Sequence, residues 1–269
     1  MAEIEIIEMD EKSHYFVSAC THCNESRETD ACAEIRLEWL LNMQKRGMKN
    51  LVAWADEVPI GFIHIMPIEI ATSRLAGKDL HYIPCFVVSK EWEGKGVSRA
   101  LVVAAENTAK NLNTKGLVTL GYYGDYPFMP AEFFENLGYE VAAKRKVYWA
   151  GDRDILDDEV MLWKVFDPSA EPPVFLTSQY EFKPIENRVV VDLFVDPFCL
   201  TSVTEAQRTR EVAGELEDRV VVNEYRADNR EEFLHLQVPR GIFIDGEEIG
   251  WGYAAPREGI REAISKKLR

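Results

Sequence analysis

The sequence predicts an α/β protein (α+β in its segregation): a larger mixed-sheet domain followed by a smaller one with its own alternation of strands and helices. Three observations carry this. Strand and helix patterns alternate through residues 1 to 166. The stretch Asp167-Pro168-Ser169-Ala170-Glu171-Pro172-Pro173 then has linker composition. A second series of strand and helix patterns begins at residue 188, and 269 residues suffice for two separate cores. The expected boundaries are 1–166, a linker over 167–187, and 188–269.

Taken in order, residues 2 to 9 alternate apolar and acidic, as a half-buried strand does. Residues 27 to 46 are helical, with Ala31, Ile35, Trp39 and Met43 at four-residue steps and a Lys45-Arg46-Gly47 stop. Strands follow near 51–55, 60–70 and 81–88, the first two joined by the polar turn Asp56-Glu57-Val58-Pro59. A long helix spans 97–111, a strand runs Leu117 to Leu120, and a short helix covers 130–136. Two strands near 141–149 and 159–166 flank the polar loop Gly151-Asp152-Arg153-Asp154.

The segment from Cys85 to Leu101 says most about chemistry. Phe86-Val87-Val88 reads as a buried strand, and Glu93-Gly94-Lys95-Gly96 turns directly into a helix carrying Val97, Leu101, Val102 and Ala105. A glycine turn between strand and helix leaves the first helical N–H groups without partners and lets a ligand approach bare backbone. With the positive end of the helix dipole, those groups form a seat for phosphate or pyrophosphate. An anionic cofactor is the inference.

This segment resembles the acetyl-coenzyme A motif of the GNAT acyltransferases, [QR]-x-x-G-x-[GA], standing here as Glu93-Gly94-Lys95-Gly96-Val97-Ser98. Gly96 matches; Glu93 and Ser98 depart from the pattern. Ala131-Glu132-Phe133-Phe134-Glu135-Asn136-Leu137-Gly138-Tyr139 resembles the family segment in which a short helix ends at Leu-Gly-aromatic, with Gly138 suited to the left-handed closing residue. The resemblance covers roughly residues 1 to 166. It implies an acyl-CoA N-acyltransferase fold that takes acetyl-CoA as cosubstrate. Phe86, Val87 and Val88 would line its arm. The loop Glu93, Gly94, Lys95, Gly96, Val97, Ser98 and Arg99 would hold its diphosphate through main-chain amides, with Glu93 facing solvent. Phe134 occupies the position where the family commonly has a proton-donating tyrosine, and phenylalanine cannot donate. Tyr122, Tyr123 and Tyr126 are the nearest phenols, each also suited to packing. Glu69 and His81, at strand ends, are the candidate general bases or simply surface and hydrogen-bonding groups. Cys85 is assigned to packing.

The second half reads as a strand over 188–195, a turn Asp196-Pro197-Phe198-Cys199, a helix 202–217, a strand 219–224 and a helix 228–236. A hairpin across Asp245-Gly246 and a last helix over 256–268 complete it. This β-α-β-α-β-β-α order resembles the thioredoxin-like fold, closest to its glutaredoxin branch through Val238-Pro239-Arg240-Gly241-Ile242-Phe243-Ile244-Asp245-Gly246. The resemblance implies a cis Val238–Pro239 bond and a reactive Cys199. The motif Cys199-Leu200-Thr201-Ser202 lacks a resolving cysteine. At a helix N-terminus Cys199 has a setting that lowers thiol pKa values, or it is a relic in a fold kept for binding.

Composition narrows the function classes. With 46 acidic against 31 basic residues and a net charge of -15, nucleic-acid binding through phosphate neutralisation is disfavoured. An acidic surface attracts cationic acceptors, or serves solubility alone. No apolar run approaches the roughly 20 residues of a membrane helix. The N-terminus is no secretory signal, so a cytoplasmic location and reduced cysteines are expected. Cys20-Thr21-His22-Cys23, with His14 and Cys32, has soft-metal residue types but lacks a second pair, so no metal is assigned; acceptor recognition and a redox pair are the other readings. The reading adopted is an acetyl-CoA-dependent N-acetyltransferase with a thioredoxin-like accessory domain, acting on a small-molecule amine or peptide. Its rival is a thiol-redox or low-molecular-weight-thiol binding protein using Cys199; a metal-responsive module is a third class. The acceptor and the oligomeric state are open, a homodimer being one option.

Overall fold

The computed structural model describes residues 3–124, 128–149, 152–251 and 254–268. Tyr126 and Gly151 lie outside them. The chain divides into two compact units. One comprises Met1–Ala71, Leu75–Lys146 and Asp157–Leu176; the other comprises Thr72–Arg74, Val147–Leu156 and Thr177–Arg269.

The first unit opens with β1 (Glu5–Glu8), α1 (His14–Ser18) and α2 (Arg27–Gln44). Ser26 caps α2, its hydroxyl accepting from the Thr29 amide at 3.0 Å. Next come β2 (Lys49–Ala55), β3 (Val58–Pro67), β4 (Leu75–Ala76), β5 (Leu80–Ile83) and β6 (Phe86–Val88). Then follow α3 (Val97–Asn111), β7 (Gly116–Tyr122), α4 (Ala131–Glu135), β8 (Glu140–Trp149), β9 (Asp152–Val165) and β10 (Val174–Phe175). The main sheet runs β1-β2-β3-β5-β7-β9-β8, mixed as expected, with β5 and β7 parallel.

Several expectations change. The strand foreseen over 81–88 is two, because Pro84 has no N–H to give a ladder. The strand foreseen from 159 begins at Asp152, so the polar loop is strand from that residue on. The helix α1 and the β4–β10 pairing were not foreseen. The buried stripe of α2 is Cys32, Ala33, Arg36, Trp39, Leu40 and Met43; Ala31 and Ile35 are exposed. Around α3 the pattern holds: Val97, Leu101, Val102 and Ala105 are all buried against β2, β3 and β7.

The second unit contains β11 (Val189–Val195), α5 (Leu200–Gly214), β12 (Val220–Arg226), α6 (Arg230–Leu236), β13 (Gly241–Ile244), β14 (Glu247–Ile249) and α7 (Arg257–Lys267). Its element order is the expected β-α-β-α-β-β-α. The sheet runs β12-β11-β13-β14, with β11 and β12 parallel and the rest antiparallel. Val189, Val191, Leu193 and Val195 of β11 pack under α5 and α7. No described peptide bond is cis, so the Val238–Pro239 bond is trans, against the expectation drawn from the resemblance.

Candidate active site

The sheet of the first unit splits at β5. Along Leu80–Ile83, β5 bonds β3 on one edge and β7, over Gly116–Thr119, on the other. Beyond Pro84, β6 continues beside β3 alone, with Gly61 opposite Val88, Phe62 opposite Val87 and Ile63 opposite Phe86. The remainder of β7 stays with β9, and its Tyr122 meets Pro130 instead of β6. A gap therefore opens between β6 and the end of β7.

The ladder fixes which groups face that gap. The His64 amide bonds the Cys85 carbonyl at 3.1 Å and the Ser89 amide bonds the Ile60 carbonyl at 2.8 Å. In an antiparallel pair, hydrogen-bonded positions alternate, so Val87 turns its amide and carbonyl to β3. Phe86 and Val88 turn theirs into the gap.

At the outer end of β6 lies the glycine turn. Gly94 has φ +71° and Gly96 φ +85°, values that L-residues rarely adopt, and a Cβ at either would meet nothing within 4 Å. Gly96 is the N-cap of α3, and the first helical bond runs from the Ala100 amide to the Gly96 carbonyl at 3.0 Å. The amides of Gly96, Val97, Ser98 and Arg99 have no acceptor among the described residues, and α3 is long enough to carry a full dipole. Glu93, Gly94, Lys95, Gly96 and Arg99 are exposed, Ser98 is half-buried, and Val97 is in the core. Lys95 lays its ammonium over the Trp92 ring at 4.7 Å. The arrangement is an open row of donors leading onto a strand edge with free main-chain groups.

The other expected site residues scatter. Phe134 has no exposed surface, so it presents no face to a ligand; it sits in the core against Phe86, Phe133 and Tyr139. The Tyr122 hydroxyl donates to Glu159 of β9 at 3.0 Å, and Arg145 of β8 pairs with the same buried carboxylate. The Tyr123 hydroxyl donates to Glu135 at 2.7 Å, with the Lys144 ammonium of β8 over its ring at 5.0 Å. That carboxylate, ahead of burial, pushes the Tyr123 phenol up to about 12. The Tyr122 hydroxyl is thus held toward β9, on the side of β7 away from the gap, and the Tyr123 hydroxyl toward α4. Glu69 sits in a turn after β3, exposed, accepting from the Asp79 amide at 2.7 Å. His81 is buried between β3 and β7, below the split, and burial lowers its pKa.

A network not foreseen lies behind the split. The fully buried Arg36 donates to the Val17 and Ser18 carbonyls and to Nε2 of His64, whose Nδ1 lies 2.6 Å from Asn50 Oδ1. A guanidinium only donates, so Nε2 accepts and the proton sits on Nδ1. Burial, then the Arg36 charge, holds the His64 pKa well below 6.5. In the sequence the one signal was an arginine at helical spacing from Cys32 and Leu40.

The turn Cys20–Asn24, which follows the two carbonyls that Arg36 holds, has left-handed backbone at Cys20, Thr21 and Asn24. Cys20 and Cys23 are half-buried and Cys32 fully so, none of them in a disulfide; burial, then Asp30 and Glu25, raises the Cys23 pKa. Among the described residues no group of three or more His, Cys, Asp or Glu side chains is placed to hold a metal ion.

Residues 47–141 match the family model of the acetyltransferase (GNAT) domain. The chain carries a GNAT acetyltransferase domain. The matched stretch holds the split strand, the glycine turn, α3 and α4. Similar solved structures include a protein described as a GNAT-family acetyltransferase from Desulfovibrio desulfuricans (14% identity, 61% of this chain and 99% of that one, TM-score 0.48). Another is YncA of Salmonella typhimurium, solved with acetyl-CoA (18%, 63% and 97%, TM-score 0.47). A third is PaiA N-acetyltransferase of Thermoplasma acidophilum, solved with coenzyme A (17%, 61% and 99%, TM-score 0.41). No curated protein matches the sequence.

In the second unit Cys199 is the N-cap of α5, and Arg240 Nη1 donates to its sulfur at 3.1 Å. Cys199, more than Glu205 or Asp196, raises the Arg240 pKa. The neighbouring Glu205 carboxyl is shifted up by burial and accepts from the Ala255 amide at 3.1 Å.

Proposed function

We propose that the first unit binds acetyl-CoA along β6 and transfers its acetyl group directly to an amine. The observation that carries this is the run of unpartnered amides from Gly96 to Arg99 at the head of a 15-residue helix, opening onto the free edge of β6. The diphosphate would sit on those amides, and the pantetheine arm would bond the main-chain groups of Phe86 and Val88. The amine nitrogen attacks the thioester carbonyl carbon, the C–N bond forms as the C–S bond breaks, and the coenzyme A thiolate leaves, with the proton lost by the nitrogen passing to that thiolate or to water. Tyr122 and Tyr123 spend their protons on Glu159 and Glu135, so the reading places neither beside the leaving sulfur. Glu69 and His81 lie below the split and are assigned structural roles. The acceptor is a small molecule or peptide bearing a neutral amine.

The second unit is read as thioredoxin-like, from its strand order and from a cysteine heading its first helix. The Arg240–Cys199 contact favours the rival reading, in which this unit binds low-molecular-weight thiols and the first is a degenerate scaffold. Titration of the full chain with acetyl-CoA by calorimetry is expected to give saturable one-site binding. No binding refutes the acetyltransferase reading. Activity lost in Cys199→Ser but kept when the glycine turn is disrupted hands the protein to the thiol reading.

A further inference from the structure

If the thioester lies where the proposed function puts it, the inner end of the gap decides which acyl groups fit. The three residues of β6 span roughly 10 Å. An arm entering at the head of α3 and following that edge inward therefore ends at Phe86. Its ring packs 5.6 Å from Phe133 and 6.0 Å from Phe134, centroid to centroid. Phe133 and Phe134 stand 5.3 Å apart, and Phe134 meets Tyr139 at 5.4 Å, both edge to face. Four rings from β6, α4 and the residue just before β8 form one continuous aromatic wall.

That wall has little room to yield. Phe134 and Tyr139 belong to the same buried cluster as Val97, Leu101, Ala131 and Leu162, and interiors of this kind are close-packed. Phe86 and Phe133 are half-buried at its margin, so they are the rings a growing acyl chain meets first. We infer that Phe86 and Phe133, backed by Phe134, limit the acyl donor to short chains, acetyl above all, and that Phe133 is the specificity-determining ring.

The inference rests on the proposed binding of acetyl-CoA, and the test separates the two. Dissociation constants of the full chain are measured by calorimetry for coenzyme A, acetyl-CoA, butyryl-CoA and hexanoyl-CoA. Hexanoyl-CoA is expected to bind about tenfold or more weakly than acetyl-CoA. In Phe133→Ala the discrimination should fall to near unity with coenzyme A affinity unchanged. Phe133→Leu serves as a milder variant should the alanine protein not fold. Equal wild-type affinity for all three acyl-CoAs overturns the inference while leaving the cofactor reading intact. Discrimination that survives in every folded Phe133 variant overturns the assignment to that ring. Failure of coenzyme A and acetyl-CoA alike to bind removes both.

Discussion

Gly96 allows the phosphate seat to be tested by charge alone. Its φ of +85° is one that asparagine and aspartate enter more readily than other L-residues, and the space beyond a Cβ is empty. Gly96→Asn and Gly96→Asp are therefore matched in shape and strain, and differ by one negative charge at the head of α3. A carboxylate about 5 Å from one phosphate charge costs about 0.8 kcal/mol in a water-like dielectric and about 3 kcal/mol at an effective dielectric of 20. The Asp variant should therefore bind acetyl-CoA about 4- to 160-fold more weakly than the Asn variant. The gap should widen at low salt, because the charges are exposed and screened over about 8 Å at physiological ionic strength. Calorimetric titration of both variants at two salt concentrations reads this directly. Equal affinities, with both proteins folded, would show that no anion sits on these amides.

Two further outcomes follow from the buried and thiol groups. His64 is neutral in the folded protein, with its pKa held below 6.5, whereas the unfolded chain protonates it near that value. Below pH 6.5 the unfolded state binds the extra proton, so stability falls with falling pH, by up to about 1.4 kcal/mol per unit, and this contribution is flat above it. Denaturant midpoints at pH 7.5 and 5.5 should show the slope, and His64→Gln should flatten it; an unchanged slope in the variant refutes the assignment. In the second unit, Arg240→Leu should slow alkylation of Cys199 by iodoacetamide about tenfold, the worth of a modest charge-assisted hydrogen bond. Equal rates, followed by peptide mass spectrometry, would make the contact at 3.1 Å incidental.

The reach of the sequence can be judged residue by residue. Local rules located α3, because a glycine turn and an apolar stripe at helical spacing agreed there. They also located β11 to β14 and the helices between, since strand and turn chemistry is short-range. They failed on α2, where four-residue steps through Ala31 and Ile35 suggested a face that the fold turns outward. A buried Arg36 is unfavourable until two carbonyls and an imidazole from other elements surround it, and no local pattern announces those partners. The same limit applies to the candidate bases. Glu69 and His81 carry suitable groups, but their distance from the gap depends on strand register.

By itself, the sequence determined a helix start with bare amides: a glycine turn and the helix after it expose those groups whatever the remaining chain does, because the orphan groups are intrinsic to a helix start. It also determined that α4 offers no phenol. Only the tertiary structure decided that the sheet parts beyond Pro84, that Tyr122 bonds Glu159 of β9 and Tyr123 bonds Glu135 of α4, and that Phe86 meets Phe133 and Phe134. Those facts arise from pairing and packing between segments distant along the chain, where the free energy of any one side chain is set by neighbours its own stretch of sequence does not contain.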